Sequence, residues 1–102
     1  MPHPFSVTTV ETLSDDRTLT QAESDESVIW SFDPGGAGRT LTLPAEATSD
    51  GMILFISNEA DGVEVLTIED DAAATVCTPT QDEAAIVFCD GVAWFGLVGS
   101  SA

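Results

Sequence analysis

The stretch that most constrains the fold is EAAIVFCDGVAWFGLVG, Glu83 to Gly99. Two apolar runs, Ala84 to Cys89 and Val92 to Val98, flank Asp90-Gly91, a dipeptide that supplies the positive φ values of a two-residue type I′ turn. The spacing therefore predicts a β-hairpin. Along its second arm Val92, Trp94 and Val98 fall on one side and Ala93, Phe95 and Leu97 on the other, and the first arm is apolar on both sides as well. A hairpin cannot cover two apolar faces by itself. One face is expected on the domain's own core, the other against a second sheet or a second copy of the chain.

The preceding residues read as short strands separated by turns. Met1 to Phe5 holds two prolines around His3 and begins an extended N-terminal arm over residues 1–12; residues 13–102 form a single β domain. Thr20-Gln-Ala-Glu23 fits a capping box and predicts one short helical turn. Val28 to Asp33 reads as a strand with Val28, Trp30 and Phe32 on one face, and Pro34 to Gly38 as a flexible connector. Leu41 and Leu43 point inward from RTLTLP, which Pro44 ends. After a Ser49-Asp50-Gly51 turn, MILFISN is apolar enough to predict a strand buried on both sides. Val63 to Ile68 and Thr75 to Thr80 follow, with an acidic loop between. Seven or eight short strands, with turn signals every eight to twelve residues, predict a compact all-β domain, an antiparallel β-sandwich or barrel.

Charge narrows the partners. Eighteen carboxylates face only Arg17 and Arg39, a formal net charge of −16. Direct nucleic-acid binding needs the cations this chain lacks, and anionic membranes are disfavoured for the same reason. No run approaches the roughly 20 apolar residues of a membrane span, and MPHPFSVTT has neither the basic start nor the apolar core of a signal peptide. Arg39 is expected to pair with one of the many acids.

Few residues offer chemistry. Glu69-Asp70-Asp71 and Asp82-Glu83 lack the alternating oxygens and fixed glycine of a calcium loop, so no metal is expected. The lone His3 lies in the proline-rich arm, no G-x-S-x-G elbow exists, and the Pro34 to Gly38 cluster lacks a Walker lysine. No catalytic residue, no cofactor and no enzymatic activity are expected. Cys77 and Cys89 have no CxxC context; a bridge between them requires neighbouring strands, and a cytosolic site of synthesis argues against it.

Taken together, DRTLTQAESDESVIWSFD, RTLTLP, DGMILFISNEADGVEVLTI and DGVAWFGLVG resemble a pattern of short β motifs in small virion proteins of tailed bacteriophages, over Arg17 to Gly99. The resemblance implies a capsid decoration (cement) protein, made in the host cytoplasm, that sits as a homotrimer on the outer capsid surface, binds the major capsid protein and stabilises the head. For such a protein the two-sided hairpin is expected to pack the trimer through Phe55, Trp94, Phe95 and Leu97, and the extended arm to anchor it to the capsid at Phe5 and Val7. Two alternatives remain open. One is a tail- or head-fibre receptor-binding module using loops such as Pro34 to Gly38 and Asp70 to Ala74; the other is a free acidic mimic of nucleic acid that inhibits basic proteins.

Overall fold

The computed structural model describes residues 8–100. Nine strands form two mixed sheets around one core: β1 (Glu11–Thr12), β2 (Arg17–Thr18), β3 (Ile29–Asp33), β4 (Arg39–Thr42), β5 (Ile53–Asn58), β6 (Leu66–Glu69), β7 (Thr75–Cys77), β8 (Glu83–Cys89) and β9 (Trp94–Ser100). Sheet A runs β1-β3-β5-β8-β9 and sheet B runs β2-β4-β6-β7. The only α-helix among the described residues is α1 (Gln21–Glu26), and a single 3₁₀ turn spans Glu46–Thr48. No helix among them is long and apolar enough to cross a membrane.

The domain is strand-rich, as expected, but its two sheets are mixed rather than antiparallel and do not make a clear sandwich or barrel. From β1 to β6 the chain alternates between the sheets, so successive strands of one sheet run parallel: β1 with β3, β3 with β5, β2 with β4, β4 with β6. The turn residues that suggest hairpins instead carry the chain from one sheet to the other. Antiparallel pairing begins only with β6–β7, β5–β8 and β8–β9.

Alternation within each strand then builds the core. Trp30, Phe32, Leu54, Ile56, Ala85, Val87, Cys89 and Trp94 from sheet A meet Leu41, Leu66 and Ile68 from sheet B, together with Leu13, Leu19 and Leu43. Every second residue of a strand faces the same way, so one apolar parity per strand suffices for this layer. Gly96 marks where β7 passes beneath β9: a Cβ there would lie 2.9 Å from Cys77 Sγ and 3.0 Å from Val76 Cγ1, closer than carbon tolerates.

Polar residues lock the ends. The capping box forms as expected, with the Thr20 hydroxyl accepting from Glu23 N–H and the Glu23 carboxylate accepting from Thr20 N–H. Arg17 joins three elements, with Nε 2.9 Å from Glu11 on β1 and Nη2 2.8 Å from Glu23 on α1. Its guanidinium also stands 5.9 Å from the Trp30 ring centroid. Buried Asn58 donates to Glu64 O and Pro79 O and accepts from Ala60 N–H. Among the described residues no buried side-chain nitrogen or oxygen lacks a partner.

The Pro34 to Gly38 stretch is a fitted turn, with Gly35 N–H donating to Asp33 Oδ1. Gly35 has φ +81°, and a Cβ there would sit 2.7 Å from Leu13 O. Arg39 donates to Pro34 O and, among the described residues, forms no ion pair; Arg17 makes the chain's carboxylate contacts instead.

Candidate interaction surface

The face of sheet A turned away from the core is apolar and laid out in register. One row across the strands reads Ile53, Phe88, Phe95; the next reads Ile29, Phe55, Ile86, Leu97; a third reads Ser31, Ser57, Ala84, Gly99. None of these positions carries a charge, in a chain of net charge −16. Ile53, Ile86, Phe88, Phe95 and Leu97 remain 50, 41, 42, 47 and 65 % exposed, while Ile29 and Phe55 are half-buried. Phe88 and Phe95, paired across β8–β9, stack with ring centroids 5.3 Å apart. The exposed group amounts to roughly 500 Å², at the upper end of the largest apolar patch on a typical monomer.

Local chemistry explains how this face comes to be presented. The β8–β9 hairpin forms where expected, but its loop holds four residues, 90–93, because Cys89 pairs with Trp94. Only Gly91 takes a positive φ, +94°, so the turn is not type I′. Asp90 Oδ1 accepts from Val92 N–H and Ala93 N–H at 2.9 Å each, and those bonds, Ala93 first, hold its carboxyl below the usual range.

Of the four residues expected at a trimer contact, the structure brings Phe55, Phe95 and Leu97 to this face. Trp94 does not join them. It lies on the opposite side of β9, 7 % exposed, with Nε1 donating to Pro44 O at 2.9 Å. Phe5 and Val7, the expected capsid anchor, lie outside the described residues. Ile53, Ile86 and Phe88 are the contributors missed from sequence; the two-sided apolarity of MILFISN and of the first hairpin arm was the signal. β5 is buried on one side only within the single chain, with Leu54 and Ile56 inside and Ile53 outside.

The acid-rich loops serve the backbone. Asp70 Oδ1 accepts from Ala72 N–H and Ala74 N–H, closing the β6–β7 turn, and Asp16 Oδ1 accepts from Thr40 N–H. Among the described residues no three His, Cys, Asp or Glu side chains converge as a metal cage. Cys77 and Cys89 are both free thiols; burial pushes Cys77 up to about 11 and raises Cys89 as well, which keeps both protonated near neutrality. A depression of about 250 Å³ lined by Ala84, Ile86, Leu97, Val98, Gly99 and Ser100 lies at the β9 end of the apolar face.

Comparison with family models, curated proteins and solved structures returned no match.

Proposed function

We propose that this chain is a non-enzymatic assembly protein of a bacteriophage virion, a decoration protein that coats the outer capsid surface as a homotrimer and braces it. The observation that carries the proposal is the pair of apolar rows on the outer face of sheet A, where five large apolar side chains stay exposed in the single chain. Covering that face against another protein removes it from water, at a gain of about 25 cal/mol per Å² before the cost of association is deducted. A β scaffold tied by the Arg17 ion pairs and by the buried Asn58 amide supplies the rigidity a bracing part needs. The virion assignment rests on the pattern of short β motifs over Arg17 to Gly99, and the abundant carboxylates suit a surface that must not stick to its neighbours.

Contact with the major capsid protein adds area at the seams between capsomers and opposes the outward pressure of packaged DNA. The test is the copy number of the chain in purified virions, measured by quantitative mass spectrometry against the major capsid protein. Copies approaching one per capsid subunit support decoration. A handful per particle points to a fibre or tail tip, and absence rejects the virion reading.

A further inference from the structure

The apolar outer face ends at β9, and among the described residues β9 is an edge strand, paired with β8 on one side and with no strand on the other. Its residues Trp94–Ser100 include neither a charge nor a proline, two of the devices by which natural sheets guard an edge. Hydrogen bonding identifies the open groups. Cys89 N–H donates to Met52 O and Cys89 O accepts from Gly51 N–H, so the Cys89 backbone turns toward β5. Alternation then turns Phe88 and Phe95 toward each other and directs the N–H and C=O of Trp94, Gly96 and Val98 off the sheet.

A matching segment exists in the same chain. All eighteen Asp and Glu side chains fall within residues 11–90, which leaves residues 1–10 and 91–102 free of acidic side chains. Between copies of net charge −16 these are the segments that can meet with least repulsion. Residues 1–7 also have the right alternation. In an extended strand every second residue turns its N–H and C=O the same way, so Pro2, Pro4 and Ser6 face away from a strand that pairs with His3, Phe5 and Val7. An added edge strand tolerates proline only in that arrangement.

Reach decides which copy supplies the arm. Thr8 N–H donates to Ile29 O, and Phe55 N–H donates to Val28 O, so Ile29 turns toward β1 and Thr8 lies on the β1 side of β3. From there to a position beyond β9 is five strand spacings, about 24 Å. Seven extended residues reach at most about 23–25 Å. Crossing the sheet takes that whole length, so residues 1–7 cannot also pair along β9 of their own chain, whereas those of another copy can.

We propose that residues 1–7 of one copy add as a strand to β9 of the next, linking copies arm to edge in a ring. The inference rests on the reading of the chain as self-assembling, and it places Phe5 and Val7 between copies rather than on the shell. It also supplies area: the outer face alone, roughly 500 Å² per copy, falls short of the roughly 800 Å² per partner of a standard interface.

The experiment is light scattering with size exclusion across a concentration series, on the full chain, on a chain lacking residues 2–7, and on Val98→Pro. The proline removes an N–H directed off the sheet and leaves the β8 partners of β9 in place. The full chain is expected to assemble, and each variant to raise the dissociation constant about tenfold or more with an unchanged far-ultraviolet circular dichroism spectrum. Assembly unaffected by both changes overturns the proposal, whether the arm then lies on its own outer face or on another protein. A monomeric full chain overturns it as well. Assembly that needs both the arm and β9, in a chain absent from virions, supports arm exchange while rejecting the decoration role. Assembly dissolved only by charges on the outer face does the reverse.

Discussion

Replacing Arg17 with glutamine removes the one cation that ties the start of both sheets to α1. Arg17 lies on β2, and its partners Glu11 and Glu23 lie on β1 and α1. The Arg17 guanidinium, and after it the Thr20 backbone, lowers the Glu23 carboxyl from an ordinary 4.5 to about 2. Taken whole, that shift corresponds to about 3 kcal/mol of linkage. The Glu23 side chain is 34 % exposed, so solvent screening takes roughly half, and the Thr20 share survives the substitution. Glu11 is 40 % exposed and adds a few tenths at most. The expected loss is about 1.5–2 kcal/mol near neutral pH, roughly 10 °C in melting temperature for a domain of this size.

The pH dependence has a definite sign. A carboxylate whose pKa is lowered by folding contributes stability that is fully present above its unfolded value and is lost as pH falls through its folded value. The gap between the two proteins is therefore expected to be full above about pH 4.5 and to close toward pH 2. Apart from the small Glu11 share, neutralisation of the other carboxylates affects both proteins alike and cancels in the difference. Urea titrations of wild type, Arg17→Gln, Glu23→Gln and the double variant at pH 7, 4 and 2.5 give the coupling directly. A gap below about 0.5 kcal/mol at pH 7, or one of the same size at every pH, refutes the argument.

Three further outcomes follow from the same structure. Gly35→Ala combines a φ of +81° with a Cβ placed 2.7 Å from Leu13 O, and is expected to cost about 2–4 kcal/mol in urea titration; a loss under 1 kcal/mol means that the turn relaxes. Added NaCl screens repulsion among charges summing to −16, so the melting temperature should rise from low to seawater-like salt, and a flat or falling curve counts against this. Phe95→Lys with Leu97→Lys changes two exposed side chains, so the melting temperature of the monomer should stay within a few degrees of wild type while self-association weakens; association that survives both charges removes the outer face from the contact.

What the sequence makes legible here is chemistry that closes within a few residues. Thr20 and Glu23 cap each other three apart, and Gly51 takes its positive φ beside Asp50. The inward leucines of RTLTLP likewise follow from period two alone. Strand direction is different, because alternation reads the same in a parallel and an antiparallel sheet. The partner of β3 is β5, 26 residues on from Ile29 to Phe55, and nothing local to either strand states that the chain visits sheet B in between.

Trp94 shows the limit most sharply. Parity already set it on the opposite side from Phe95 and Leu97, so all three could not share one surface. Which side received the second sheet was a non-local fact, written at Gly96, where only a missing Cβ lets Cys77 and Val76 approach. Gly96, two residues from Trp94 on the same strand parity, marks the side on which the β7 side chains lie close, and Trp94 beside it is then core. The exposed parity, Phe95 and Leu97, is the one left for a partner, and its continuation through Ile86 and Phe88 to Ile53 follows only once the register of β5, β8 and β9 is known.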